Sequence, residues 1–213
     1  MNSSLLWKTV RPTGTPQGQV VLLHGWGANC EDLLGIVPPL DLPHLVFCSP
    51  DAPMPHPHAP MGRMWYDLES PQWTGLSQSR SQLLHWLTQL EQSTQVPLHK
   101  TVLVGFSQGA AMTLDVGLRL PVAGLVMLSG YLHPELVLDR PAPPPPVLVI
   151  HGSFDAVVPI AAAQDTQDFL QEITTYTYRE LAMGHEINLE AIAAVRQFIA
   201  TLLPLSQTID PES

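Results

Sequence analysis

Short apolar segments alternate with helix-forming segments along most of this chain. Residues 101–106 and 147–151 are almost continuously apolar, as is typical of strands whose two faces are both covered by helices. The predicted strands, the first an antiparallel edge strand, are residues 5–10, 19–23, 44–48, 101–106, 123–128, 147–151 and 174–181. The predicted helices are residues 31–36, 78–92, 108–118, 160–172 and 187–203. This alternation predicts an α/β fold with a mostly parallel central sheet flanked by helices on both faces.

Proline occurs 22 times, and two clusters of it interrupt the alternation without dividing it. Residues 53–60 predict an irregular loop. Residues 141–146 lead into a strand and predict a stiff surface connection. The alternation resumes after each cluster, and 213 residues fit one folded unit. We therefore expect a single domain spanning residues 1–213, with no large cap domain.

Acidic side chains outnumber basic ones, and the formal net charge is -10. The basic residues form no cluster, which argues against nucleic acid and anionic membranes as partners. We expect a small neutral or zwitterionic substrate, no stable membrane insertion, and a monomer or weak homodimer. The N-terminal residues lack the pattern of a signal peptide. A cytoplasmic protein in which Cys30 and Cys48 are buried free thiols is therefore expected, with a single bridge between them as the alternative.

The pentapeptide Gly105-Phe106-Ser107-Gln108-Gly109 fits the pattern G-x-S-x-G. It follows a predicted strand and precedes a predicted helix, which is the context in which this motif forms a nucleophile elbow. Such a turn strains the serine backbone and lifts the hydroxyl clear of the sheet. We expect glycine at both ends because side chains there would collide with the neighbouring strand and helix. A Gly-Ser turn without chemistry is the alternative.

A serine hydroxyl becomes an effective nucleophile when a base takes its proton, and the base is usually a histidine that an acid orients. In this topology the acid and then the base follow the serine along the chain. Asp155 comes just after a predicted strand, at the edge where ligand sites form in α/β sheets, and His185 follows the last predicted strand. Alone, Asp155 could be a turn or capping residue and His185 a surface histidine. Their joint order predicts that Ser107, Asp155 and His185 are catalytic.

Acyl transfer also requires hydrogen-bond donors for the oxyanion that develops on the carbonyl oxygen. One expected donor is the backbone N–H of Gln108, the residue after the nucleophile. The other comes from the loop His24-Gly25-Trp26-Gly27, which follows an early strand, and we assign it to the N–H of Trp26. We expect the Trp26 side chain to wall the acyl site and His24 to support the loop by hydrogen bonding.

The remaining histidines are not expected to carry chemistry. His44, His56 and His58 lack the spaced set of further ligands that a metal site requires, so no metal is predicted. His151 ends a predicted buried strand and is expected to be structural.

These motifs, with several others, resemble the phospholipase/carboxylesterase family, the α/β-hydrolases that include acyl-protein thioesterases and bacterial carboxylesterases. The matching segments follow the family's order over nearly the whole chain: Leu23-His24-Gly25-Trp26-Gly27, Ser49-Pro50-Asp51-Ala52-Pro53, Met64-Trp65-Tyr66-Asp67, Gly105-Phe106-Ser107-Gln108-Gly109, Leu128-Ser129-Gly130, His151-Gly152-Ser153-Phe154-Asp155 with Val158-Pro159, and Gly184-His185. The resemblance implies an α/β-hydrolase fold and serine-dependent hydrolysis of carboxylic esters or thioesters without a cofactor.

Two departures from the family pattern bear on the substrate. Ala28-Asn29 stands where the family often has an acidic residue, which looks more like bacterial carboxylesterases than eukaryotic thioesterases. The segment before Trp65 is compressed and rich in proline and histidine. In relatives this region contributes to the acyl-binding surface, so the acyl chain length is left open.

From these observations we predict a serine carboxylesterase that hydrolyses short- to medium-chain acyl esters through an acyl-enzyme. An acyl-protein thioesterase or lysophospholipase is the alternative, and a non-catalytic binding protein of the same fold is a third. The predicted substrate-binding residues are Trp26, Trp65, Tyr66 and Leu68. Ordinary packing of the segment containing Trp65, Tyr66 and Leu68 onto the sheet is the competing interpretation.

Overall fold

A twisted sheet runs through the centre of the protein. The computed structural model describes residues 5–134, 136 and 143–205. Within them the strands in chain order are β1 (Trp7–Val10), β2 (Gly18–Leu23), β3 (Leu45–Pro50), β4 (Met54–Pro55), β5 (Arg63–Met64), β6 (Thr101–Phe106), β7 (Gly124–Leu128), β8 (Val147–Gly152) and β9 (Tyr176–Leu181). Seven of them form one sheet in the order β1-β3-β2-β6-β7-β8-β9, and β4 pairs with β5 separately.

All neighbouring strands of the large sheet are parallel except β1 and β3. The predicted mostly parallel sheet with an antiparallel edge strand is therefore confirmed. Strands β2, β3, β7 and β8 are buried along their whole length, whereas the edge strands β1 and β9 alternate or face solvent. Strand β6 lies in the middle of the sheet and carries Ser107 at its carboxyl end.

The helices cover both faces of the sheet. They are α1 (Val37–Leu40), α2 (Leu76–Thr94), α3 (Gln108–Gly117), α4 (Ile160–Gln171) and α5 (Leu189–Leu202), with 3-10 turns at Asp32–Ile36 and Leu98–Lys100. Successive residues of a strand point to opposite faces. Accordingly, Leu103 packs in a core with α2 and α3, while Val102 and Val104 pack in a second core with α1 and α5.

The predicted helix over residues 31–36 is a 3-10 turn followed by the four-residue helix α1. Pro38 and Pro39 occupy the first turn of α1, where the missing N–H of proline costs no intrahelical hydrogen bond. The two prolines therefore begin a new short helix rather than extend the preceding turn.

The prediction of an irregular loop over residues 53–60 is wrong in part. Met54 and Pro55 pair with Met64 and Arg63 as a short antiparallel hairpin. Proline removes its own N–H but leaves that of the next residue free, and the N–H of His56 donates to the carbonyl of Gly62 at 2.9 Å. Of the second cluster, residues 141 and 142 lie outside the described residues, and residues 143–146 have no regular structure.

Both cysteines, Cys30 and Cys48, are free and buried, as predicted. Burial is the main cause that raises the pKa of Cys30 to about 11 and that of Cys48 to about 12. Both therefore remain protonated thiols at neutral pH. Over the part of the chain that the structure describes, no helix combines the length and apolar character needed to cross a bilayer.

Candidate active site

Ser107 occupies the tight turn between β6 and α3. Its backbone dihedral angles are φ 55° and ψ -119°. Residues other than glycine rarely adopt this combination, which stores strain. A methyl group added at Gly105 would overlap the carbonyl oxygen of Gly109, and one added at Gly109 would overlap that of Leu23 in β2. The expected reason for both glycines, close approach of helix and strand, is thus confirmed.

His185 and Asp155 meet Ser107 at the carboxyl edge of the sheet. The hydroxyl of Ser107 lies 3.0 Å from Nε2 of His185, and Nδ1 of His185 lies 2.7 Å from Oδ2 of Asp155. These distances suit a series in which Ser107 donates to His185 and His185 donates to Asp155. The three predicted residues, which are separated widely in the chain, are brought together.

The Asp155 carboxylate is fully buried, and both of its oxygens accept hydrogen bonds. Its Oδ1 accepts the backbone N–H groups of Val157 and Val158 at 2.9 and 2.8 Å. Burial raises the pKa of Asp155, but the hydrogen bonds from His185, Val158 and Val157 outweigh it and lower the pKa below its ordinary value. The group is therefore an ionised acceptor at neutral pH.

His151 lies behind the same loop and is completely buried. Its Nε2–H donates to the carbonyl of Val158 at 2.9 Å, and the same nitrogen is 3.7 Å from Oδ2 of Asp155. The ring thus ties the loop that carries Asp155 back to the end of β8. His151 is thus buried and hydrogen-bonded through Nε2, as predicted of a structural histidine, but its Nδ1 has no partner among the described residues.

The loop after β2 lies against the nucleophile. A methyl group added at Gly25 would lie 3.5 Å from Cβ of Ser107. Gly27 has φ 82°, and its N–H donates to the carbonyl of Arg63 at 2.9 Å. Within residues 5–134, 136 and 143–205, the backbone N–H groups of Trp26 and Gln108 find no acceptor. Both amides are therefore free to bind an external oxygen.

His24 is completely buried beneath this loop. Its Nε2 accepts the N–H of Ala52 at 3.0 Å, which leaves the proton on Nδ1 for the carbonyl of Gly25 at 2.8 Å. Burial is the main cause that lowers the pKa of His24, so the ring stays neutral. The predicted supporting role of His24 is confirmed.

The four predicted substrate-binding residues occupy two different depths. Trp65 and Tyr66 are completely buried, so their rings support the site from below and offer no surface to a substrate. Trp26 is half-buried and packs edge-on against His56, with ring centroids 4.0 Å apart. Leu68 is 40% exposed. A substrate-contacting role for Trp26 and Leu68 stays a prediction.

A second aspartate–histidine pair lies inside the molecule, and the sequence did not lead us to it. Nδ1 of His133 lies 2.7 Å from Oδ2 of Asp115, and both side chains are completely buried. Nε2 of His133 is 3.0 Å from the hydroxyl of Tyr66, which in turn is 2.7 Å from the hydroxyl of Tyr131. Asp115, the one charged residue of the buried helix α3, is the sequence signal that points to this network.

Two arginines complete the surroundings of Asp115. Arg80 donates to both carboxylate oxygens at 2.7 to 2.9 Å, and Arg119 contacts Oδ1 at 3.2 Å. Burial raises the pKa of Asp115, but hydrogen bonds from His133 and Arg80 outweigh it and hold the pKa at about 2. Burial also raises the pKa of Tyr66, and it raises that of Tyr131 to about 12.

Two of the other histidines, His44 and His58, have polar partners. Nε2 of His44 contacts the carbonyl of Leu203 at 3.2 Å, and exposed His58 lies 3.3 Å from Glu69. No group of side chains suited to binding a metal ion is found among the residues described.

The strand order and the strained serine turn at the centre of the carboxyl edge place the fold among the α/β-hydrolases. The loops after β2, β8 and β9 bring a free amide, an acid and a base, respectively, to that turn. A family model described as Phospholipase/Carboxylesterase matches residues 7–203. The chain belongs to this family, as the resemblance of its motifs predicted.

Several known proteins are similar to this chain. Acyl-protein thioesterase 1 of Neurospora crassa is 35% identical over 56% of this chain, and the match spans about half, 53%, of that relative's length. Lysophospholipase-like protein 1 of Mus musculus is 26% identical, with 92% of this chain and 91% of that protein covered. The crystal structure of esterase PE8 has a TM-score of 0.85 at 28% identity, and covers 94% of this chain and 100% of that one.

Proposed function

We propose that this protein is a serine carboxylesterase that hydrolyses short- to medium-chain acyl esters by way of an acyl-enzyme. The observation that carries the proposal is the hydrogen-bonded series from Ser107 through His185 to Asp155, at 3.0 and 2.7 Å. The strained turn at Ser107 and the two free amides beside it support the same conclusion.

In the first half of the reaction, Oγ of Ser107 attacks the acyl carbonyl carbon while its proton passes to Nε2 of His185. Asp155 holds Nδ1–H and stabilises the imidazolium that forms. The carbonyl oxygen becomes an oxyanion and accepts hydrogen bonds from the N–H groups of Trp26 and Gln108. Collapse of this intermediate breaks the ester bond, and His185 gives its proton to the leaving alcohol.

The second half repeats the chemistry with water as the nucleophile. His185 takes a proton from water, which attacks the carbonyl carbon of the acyl-Ser107 ester. The same amides hold the second oxyanion. Release of the carboxylic acid returns the proton from His185 to Ser107. These residues supply every proton transfer, and the proposal includes no cofactor.

The surroundings of Ser107 favour a small neutral substrate. The net charge of -10 disfavours anionic esters. Because Trp65 and Tyr66 are fully buried, the acyl wall that we propose reduces to Trp26 and Leu68, which suits a short chain. The two protonated free thiols fit the reducing cytoplasm.

A thioesterase is the second candidate, and the 35% identity with an acyl-protein thioesterase favours it. The same three side chains and two backbone amides would cleave a thioester, with a thiol as the leaving group. Rates on matched acetyl, octanoyl and palmitoyl esters and on one octanoyl thioester separate the two. We expect kcat/KM to be highest for the acetyl or octanoyl ester. A preference for the thioester would transfer the proposal to the thioesterase, and a preference for the palmitoyl ester would transfer it to a lysophospholipase.

Replacement of the nucleophile tests the serine chemistry itself. Ser107→Ala is expected to lower kcat by at least about 10⁴ and to abolish covalent labelling by a fluorophosphonate. Ser153→Ala is the matched control, because Ser153 lies at the same sheet edge and bonds Glu180 at 2.8 Å. Ser153→Ala should keep the wild-type kcat and the covalent labelling by the fluorophosphonate. Labelling or full hydrolysis by Ser107→Ala would refute the assignment.

A further inference from the structure

Trp65 lies at a junction between the two segments that carry the free amides. Its backbone N–H donates to Oε1 of Gln108 at 2.9 Å, and its indole N–H donates to the carbonyl of His24 at 3.0 Å. The hydroxyl of Ser79 donates to its carbonyl oxygen. Each polar group of this completely buried residue therefore has a partner.

The Gln108 end of this junction is fixed at two points. Besides accepting from Trp65, the side-chain amide of Gln108 donates to the carbonyl of Tyr66 at 2.7 Å. Gln108 is completely buried. The residue whose backbone N–H faces the proposed oxyanion is thus clamped, by its own side chain, to the Trp65–Tyr66 backbone.

The His24 end leads to the peptide unit that directly precedes the one containing the second amide. The carbonyl of His24 accepts the indole N–H of Trp65, and the His24 ring donates to the carbonyl of Gly25 at 2.8 Å. The carbonyl of Gly25 belongs to the same rigid peptide plane as the N–H of Trp26. Fixing that carbonyl therefore fixes the direction in which the Trp26 N–H points.

We infer that Trp65 is a positioning residue that sets the separation of the two oxyanion donors, the amides of Trp26 and Gln108. This inference rests on the proposed function. The two amides come from loops after different strands, β2 and β6, and stabilise an oxyanion only within about 2.7–3.1 Å of it. Trp65 hydrogen-bonds the side chain of Gln108 on one side and, on the other, the carbonyl of His24, in the peptide unit next to that of the Trp26 amide. A wall residue that contacts substrate would need exposed surface, and Trp65 has none.

Trp65→Phe removes the indole N–H and keeps an aromatic ring. We expect kcat on a short ester to fall about tenfold, because one donor shifts rather than disappears. KM should stay within about twofold, since the oxyanion forms only after binding. Affinity for a trifluoromethyl ketone, whose adduct with Ser107 places an oxyanion between the two amides, should fall by the same factor as kcat.

Trp86→Phe is the matched control. Trp86 is also buried, at 7% exposure, but its ring packs edge-on against Trp7, and it lies about two turns after Ser79 in α2. We expect it to lower the melting temperature without changing kcat or the affinity for the ketone. Should Trp65→Phe not fold, 3-benzothienylalanine at position 65, introduced by nonsense suppression, keeps the shape of tryptophan and lacks the N–H.

The outcomes separate this inference from the proposed function. If wild-type protein shows no Ser107-dependent hydrolysis, the function is wrong. If it hydrolyses esters and the variant keeps both kcat and ketone affinity, or raises KM alone, the positioning role is wrong while the function stands. Parallel loss of kcat and ketone affinity at unchanged KM supports the inference.

Discussion

The Asp155–His185 and Asp115–His133 pairs have the same distance, 2.7 Å, between histidine Nδ1 and aspartate Oδ2. Their surroundings differ. The Asp155–His185 pair lies at the sheet edge, where the histidine side chain is 17% exposed. The Asp115–His133 pair is sealed inside, with neither side chain exposed. Exposure to a substrate is therefore the first property that separates them.

The charges around the two carboxylates also differ. Asp155 is stabilised by two neutral backbone N–H groups and a histidine. Its negative charge is therefore available to stabilise His185 when that ring becomes charged. Asp115 already has Arg80 and Arg119 as counter-ions. Moreover, the second partner of His185 is the hydroxyl of Ser107, beside two free amides. The second partner of His133 is the phenol of Tyr66, which is stacked on Trp73. Access, counter-charge and neighbouring donors decide which pair can act as a base.

The largest expected contrast comes from Asp155→Asn. The amide cannot stabilise the imidazolium and favours the wrong tautomer of His185, so kcat on a short ester should fall about 10⁴-fold. Circular dichroism should show an intact fold. A kcat of Asp155→Asn within tenfold of wild type would show that the Asp155–His185 pair is not the catalytic one.

Asp115→Asn tests the other pair through stability. The change leaves Arg80 and Arg119 without their buried counter-ion, and the free energy of unfolding should drop by about 3–5 kcal/mol. Urea denaturation at neutral pH measures it, with Asp155→Asn as the matched comparison. Equal or larger destabilisation by Asp155→Asn would mean that both pairs are structural.

Acid titration sharpens the same contrast. The folded pKa of Asp115, about 2, is below its ordinary value of 3.8, so its contribution to stability is complete above about pH 4 and is lost as pH falls towards 2. That contribution amounts to about 2 kcal/mol. The unfolding free energy of wild type should decline between pH 4 and pH 2, and Asp115→Asn should flatten this decline. If the unfolding free energy of Asp115→Asn declines as steeply with falling pH as that of wild type, groups other than Asp115 cause the acid sensitivity.

The smallest expected effect belongs to the far end of the buried network. Tyr131→Phe removes the hydroxyl that lies 2.7 Å from that of Tyr66, and should cost about 1 kcal/mol of stability. Because this hydroxyl bonds that of Tyr66 and takes no part in the series from Ser107 to Asp155, kcat should stay within about twofold. A tenfold loss of kcat in the folded variant would show that the two networks are coupled.

The features that sequence could predict are those with a local pattern. Continuous apolar runs predicted the strands, and G-x-S-x-G between a strand and a helix predicted the turn at Ser107. Asp155 and His185 followed from their order after it, since parallel strands bring their carboxyl ends to one edge. The structure brings these three residues within hydrogen-bonding distance.

The features that sequence could not predict depend on burial and long-range contact. Asp115 and His133 come from separate elements and share no motif. Trp65 and Tyr66 were predicted as substrate-binding, but an aromatic pair in a sequence does not reveal which side of a loop faces the core. The hairpin β4–β5 was missed because proline composition indicates a loop, whereas the N–H groups between the prolines were free to pair.

That hairpin has a consequence for how the protein could change over evolution. The N–H of Gly27 donates to the carbonyl of Arg63, the N–H of Arg63 donates to the carbonyl of Ala28, and Gly62 approaches Gly27 too closely for a side chain. Gly62 and Arg63 of the hairpin are therefore held to the loop that carries the Trp26 amide. Residues 57–61 at the tip have no such tie to that amide through the backbone. New sequences grafted there would change the surface beside this loop and leave the proposed oxyanion donor in place.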